Sequence, residues 1–230
     1  MTYPDLEIDM TTPRRDFLGL LGAATLLGGH LPEALSATAG PSPSSPTRGP
    51  WDMTWRSRLV GAHRAVFDAP EVSEGDPVLR AVMWGRQMTE VFGTKPSGMS
   101  RVLVLRHNGI ELAMQDSYWA AFDASTRHGF RDAAGAPLKV NPVRAARAEV
   151  PEPFRDLTLE RFAAEGGVVL ACDVALRVYV VPRYVATGLS EAAAYATAVR
   201  ALLPGVILQP SGIFALSVAQ EAGARFIPAS

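Results

Sequence analysis

The stretch Arg101-Val-Leu-Val-Leu-Arg106, followed by His107, decides the fold class. An unbroken apolar run fenced by arginines describes a strand buried on both faces rather than a half-exposed one. The pattern recurs at Val168-Val-Leu-Ala171 and Val206-Ile-Leu-Gln209, with shorter versions at Arg64-Ala-Val-Phe-Asp68 and Arg225-Phe-Ile227. Between these runs the spacing is helical. Residues 77–92 open on Pro77, repeat Val78, Val82, Met88 and Phe92, and stop at Gly93. Glu111 to Phe122 reads as a second helix, and Thr158 to Ala164 as a third, stopped by Gly166-Gly167. Ser190 caps an alanine-rich helix running to about Leu203, and Ser211 to Ala222 forms the last. Arg177 to Val181 has strand propensity, but the alternation needs a helix there, so helix is the expectation. Alternating buried strands and helices predict an α/β domain with a mainly parallel sheet covered on both faces.

Composition narrows the function classes. The chain has 230 residues, 48% hydrophobic and 20% charged, which suits one globular domain. A net charge of −1 gives no field that would select nucleic acid or anionic lipid. A single cysteine excludes an intramolecular disulfide and any multi-thiolate metal site. The sequence has no metal-ligand spacing, G-x-G-x-x-G pattern or P-loop, so no metal and no cofactor is expected.

Residues 1–39 read as an export signal. Arg14 and Arg15 precede Phe17-Leu18, a glycine-diluted apolar stretch runs to about Leu31, and Ala37-Thr38-Ala39 offers a small-x-small cleavage site. The paired arginines resemble those of a twin-arginine translocation signal, which implies contact with that translocase and a periplasmic or otherwise exported location. The apolar stretch is shorter than the roughly 20 residues a stable membrane span needs. Cleavage after Ala39 leaves 20 basic and 18 acidic residues, a net charge of +2. Residues 40–57 are expected to form a flexible linker ahead of a domain covering 58–230. Within it, residues 123–152 show no convincing element. From Arg127 to Glu149 five basic residues face two acidic ones, which suits either a lid over an anionic ligand or a solvated insertion.

Candidate chemistry falls at the carboxyl ends of the strands, where ligands bind in open parallel sheets. His107 follows one strand, Cys172 a second, and Ser211-Gly212 a third. A thiol between a strand and a helix N-terminus can be acidified by the backbone dipoles, although the adjacent Asp173 opposes this. A lone cysteine there is also an ordinary packing residue. His107 suits a general base, a ligand contact or a cap. Ser211 lacks the first glycine of a nucleophile elbow and reads as a helix cap whose neighbouring N–H groups can bind an anion. His63, just before the first strand, is a further ligand-binding candidate.

Several stretches together resemble the DsrE/DsrF-like family, in an exported branch. They are His63-Arg-Ala-Val-Phe-Asp68, Val102-Leu-Val-Leu-Arg-His107, Gly167-Val-Val-Leu-Ala-Cys172, Leu203-Pro-Gly-Val206, Pro210-Ser-Gly212 and Ala219-Gln-Glu-Ala-Gly223. The resemblance implies a flavodoxin-like three-layer α/β/α fold and a homo-oligomer. In its sulfur-relay members a cysteine after a central strand carries persulfide sulfur, and Cys172 matches that position. Two readings follow. In one, Cys172 is a reactive thiol that handles sulfur from a sulfur-bearing ligand. In the other, the domain is a non-catalytic binding module for a small ligand, anionic ones included.

Overall fold

A computed structural model describes residues 51–230. The expected export signal with Arg14 and Arg15, and the expected linker up to residue 50, lie outside the described residues. Five parallel strands form one sheet in the order β4-β3-β2-β1-β5. They are β1 (His63–Ala69), β2 (Met99–Leu105), β3 (Val168–Cys172), β4 (Ile207–Gln209) and β5 (Arg225–Pro228). The strand register pairs Phe67 with Leu103, and Leu103 with Val169, so the apolar runs stack side by side. Helices cover both faces, which makes this the expected three-layer, flavodoxin-like α/β fold.

Side-chain alternation divides the strands between two cores. Ala65, Phe67, Leu103, Leu105, Val169 and Ala171 face one layer. That layer includes α1 (Asp76–Phe92), α2 (Asp116–Ala121), α3 (Ala124–His128) and α4 (Leu159–Ala164). It also includes α5, a continuous helical run of Asp173–Ala175, a π-turn at Leu176–Val180 and Val181–Val185, and α6 (Glu191–Arg200). Val66, Val102, Val104, Val168 and Leu170 face the other layer, formed by α7 (Gly212–Glu221) and the N-terminal segment. The 3-10 turn Thr54–Arg58 places Trp55 fully inside this second core. Residues 51–57 therefore belong to the folded body, and the linker expected over 40–57 is corrected there: an indole buried under a sheet cannot be a tether.

Arg177 to Val181 is helical, as the alternation required. The helix expected from Glu111 to Phe122 is not continuous. A 3-10 segment, His107–Ala113, comes first, and α2 starts only at Asp116. The break has a tertiary cause. Met114 bridges Leu202, the Leu203 N–H donates to the Ala113 carbonyl (2.8 Å), and the Gln115 N–H donates to the Ala201 carbonyl (2.8 Å). The same pairing ends α6 at Arg200, before Leu203.

The 123–152 stretch carries α3 and then turns, pinned rather than loose. Asn141, 2% exposed, donates from Nδ2 to the carbonyls of Leu112 and Met114, both at 2.8 Å, while its Oδ1 accepts from the Val143 N–H at 3.1 Å. Among the described residues no helix is long and apolar enough to cross a membrane.

Candidate functional site

The carboxyl ends of β2, β3 and β4 surround a cleft of about 370 Å³, within the size range of small-ligand sites. Cys172, His107 and Arg106 line it together with Tyr179 and, on the opposite side, Ser211 and Gly212. Four of the sequence-predicted site residues therefore meet in one place. His63 does not. It starts β1, at the amino-terminal end of the sheet, roughly 20 Å from the carboxyl ends over a seven-residue strand. There its ring stacks on Phe92 with centroids 5.8 Å apart. The candidate assignment of His63 to the site is corrected, because a strand's two ends cannot share one crevice.

Cys172 ends β3 and caps α5. It is 5% exposed, and its Sγ accepts the Ala175 N–H at 3.3 Å. The adjacent Asp173 is buried and bound by other side chains. Its Oδ2 accepts from Arg177 Nε at 2.9 Å and its Oδ1 from the Tyr195 hydroxyl at 2.6 Å. The Arg177 guanidinium in turn lies 3.8 Å from the centre of the Tyr195 ring.

Arg106, which the sequence reading passed over, organises the floor. It grips the buried Asp68 carboxylate in a bidentate pair, Nε to Oδ1 at 2.6 Å and Nη2 to Oδ2 at 2.8 Å. These hydrogen bonds raise its already high pKa, and Cys172 and Glu71 add to the effect. Its Nη1 lies 2.9 Å from His107 Nδ1. A guanidinium has no acceptor, so Nδ1 accepts, and the neutral ring carries its hydrogen on Nε2. His107 has a left-handed backbone, φ +45°, which turns the chain sharply out of β2. Gly212 is required beside this arrangement, because a Cβ there would stand 2.6 Å from Arg106 Cδ. Ser211 caps α7, its Oγ accepting the Phe214 N–H at 3.1 Å. A signal for the Arg106–Asp68 pair existed: opposite charges end two neighbouring apolar runs.

The cleft has apolar, exposed walls. Val174 and Val178 project from α5 and Ile213 from α7, at 53%, 57% and 74% exposure. Tyr179 meets the His107 ring edge-on at 6.3 Å.

Behind the site lies a second cluster that sequence reading missed. Glu111, 1% exposed, accepts from Arg127 and Arg183 at 2.8 Å, and its Oε2 lies 3.0 Å from His128 Nε2. Burial alone would raise its pKa, but the His128 hydrogen bond and the two arginine charges outweigh that and hold it at about 2. Burial pushes the neighbouring Tyr118 hydroxyl the other way, upward, with Glu111 adding to it. The clamp ties the 3-10 segment that begins at His107 to α3 and to the helix that carries Tyr179. It also engages Arg127 of the insertion. Lys139 pairs with Asp123, Arg144 with Asp116, Arg147 with Glu149, and Arg131 donates to the Gly135 carbonyl. None of these five cations lines the cleft, so the insertion holds itself to the body rather than presenting free charge over the site.

Among the described residues no group of His, Cys, Asp and Glu could hold a metal ion. No family model matches the chain, and no curated protein matches it. Among solved structures, a similar chain is MTH1491 of Methanobacterium thermoautotrophicum, a protein of unknown function. It is 18% identical, with 72% of this chain and 98% of that one covered and a TM-score of 0.34. At that score the likeness says nothing of activity.

Proposed function

We propose that the protein handles sulfane sulfur through Cys172, as a persulfide carrier or a sulfurtransferase-like enzyme. The observation that carries the reading is the placement of the thiol. Sγ accepts an N–H at a helix start and lines a ligand-sized cleft beside His107. The resemblance of the strand ends to DsrE/DsrF-like sequences supports the same cysteine. The step is redox-neutral overall. The Cys172 thiolate attacks the outer sulfur of a donor persulfide, R–S–SH. The donor's S–S bond breaks, a new S–S bond forms on Sγ, and the donor leaves as the thiolate RS⁻. His107, Tyr179 and Ser211 line the cleft and carry hydrogen-bond donors that can serve that leaving sulfur.

The twin-arginine pattern supports work outside the cytoplasm, and the family resemblance supports a homo-oligomer. The test of the sulfur reading is the intact mass of the mature protein from its native compartment, with and without reductant. A reducible addition of one sulfur atom, lost in Cys172→Ser, is the expected result. Sulfur loading absent even with excess persulfide, together with ligand binding that survives Cys172→Ser, replaces the carrier by a binding module. Replacing Arg14 and Arg15 together by Lys is expected to retain precursor in the cytoplasm; undiminished export refutes that part.

A further inference from the structure

The charges around the cleft define a substrate class, given the sulfur-handling reading on which this inference rests. The cation in the lining is Arg106, and it is neutralised by the bidentate Asp68. Glu71 adds negative charge nearby, and so does Cys172 once it is a thiolate. The other paired groups close by, Asp173 and Arg177, cancel. The basic residues of the insertion face their own partners rather than the cleft. An anion entering would therefore meet no unpaired cation and the negative charge of Glu71, against which stand only the backbone N–H groups at the starts of α5 and α7. The walls offer the opposite welcome. Val174, Val178 and Ile213 remain open to solvent at the mouth, a cost that an apolar group would relieve on entering. About 370 Å³ holds roughly a dozen water-sized volumes, enough for a short alkyl or single-ring group.

We propose that the cleft takes sulfur from a small, uncharged alkyl or aryl carrier, in preference to an inorganic sulfur oxyanion or an acidic thiol carrier. The reacting S–SH head is the same in each organic donor; the discrimination lies in the group attached to it.

Cys172 is the one cysteine of the chain, so thiol chemistry reports this site alone. The test compares alkylation rates for iodoacetamide, iodoacetate and benzyl-iodoacetamide, each divided by its rate with a free model thiol. The thiolate's own charge divides out against the model thiol, which leaves Glu71, outside the lining; a unit charge about 8 Å away changes a rate by about twofold in bulk water. Iodoacetate is therefore expected to be about twofold or more disfavoured relative to iodoacetamide, and the benzyl reagent favoured by about tenfold. Ile213→Lys, at an exposed position, is expected to reduce both preferences. Sulfur loading from benzyl persulfide should likewise outrun loading from glutathione persulfide, which carries carboxylates. Iodoacetate at parity, or equal loading from the two persulfides, overturns the substrate class while leaving Cys172 a sulfur carrier. Selective alkylation with no loading from either persulfide upholds the charge selectivity and overturns the sulfur reading beneath it. A thiol that reacts with none of the reagents overturns both.

Discussion

Glu111→Gln tests whether the clamp behind the site holds the domain together. The substitution keeps the shape of the side chain and removes its charge. The native carboxyl titrates at about 2, against an ordinary 4.5. That difference corresponds to about 3 kcal/mol of preference for the ionised form in the folded state. Glu111 is fully buried, so solvent screening takes little from this figure. It also agrees with the roughly 3–5 kcal/mol usually lost when one member of a buried ion pair is removed. The sign follows from the direction of the shift. A depressed carboxyl stabilises the fold fully above pH 4.5, and that contribution fades as pH falls toward 2. Denaturant unfolding of both proteins should therefore show the variant about 3 kcal/mol less stable at pH 7. The gap should narrow steadily below pH 4.5. Subtracting one protein from the other removes every other carboxyl from the comparison. A neutral-pH gap under about 1 kcal/mol, or a gap independent of pH, would show that the arginines and His128 relax without their anion.

Three further outcomes follow from the packing. Gly109→Ala would put a Cβ 2.2 Å from the Ala69 carbonyl oxygen, and should destabilise by about 2 kcal/mol or more, read by thermal unfolding; an unchanged Tm would show that the 3-10 segment shifts freely. Trp55→Ala should cost about 3–5 kcal/mol, and a flexible tether would instead show no loss. His63→Ala should leave Cys172 alkylation within twofold of the parent, since its ring lies at the amino-terminal end of the sheet; a larger change would mean that the sheet couples its two ends.

The fold was legible where the information is local. The three inner strands β1, β2 and β3 carry buried apolar runs, which a parallel sheet covered on both faces requires, while the edge strands β4 and β5 are shorter and partly open to solvent. Even Arg177 to Val181, with the wrong propensity, could be placed by the alternation of neighbours. What sequence reading missed depends on contacts far apart in the chain. Nothing near Met114 announces that its backbone pairs with Leu202 and so breaks a helix. Nothing near Asn141 says that its amide plugs two carbonyls of a segment nearly thirty residues earlier. Trp55 stands next to a Pro/Ser-rich stretch and looks like its continuation until the second core claims it. At the site, rules about strand ends brought His107, Cys172, Ser211 and Gly212 together. His63 was assigned against those same rules, since it precedes its strand.

The Arg106–Asp68 pair shows why charge counting along a chain misjudges a site. As a sequence, the region around the cleft contains a basic residue after β2 and a basic insertion, and both suggest an anion. The structure reverses this by geometry alone. Parallel register sets the end of β1 beside the end of β2, so the Asp68 carboxylate lies within bidentate reach of the Arg106 guanidinium. The insertion's cations are drawn to carboxylates and carbonyls outside the cleft, including the buried Glu111. The charge left to influence a ligand is then that of the thiolate itself and of Glu71. With Arg106 engaged by Asp68, the lining offers an entering anion no unpaired guanidinium. Asp68→Asn tests the proposed selectivity: freeing Arg106 should raise the relative reactivity of Cys172 toward iodoacetate, and an unchanged ratio of iodoacetate to iodoacetamide rates would refute it.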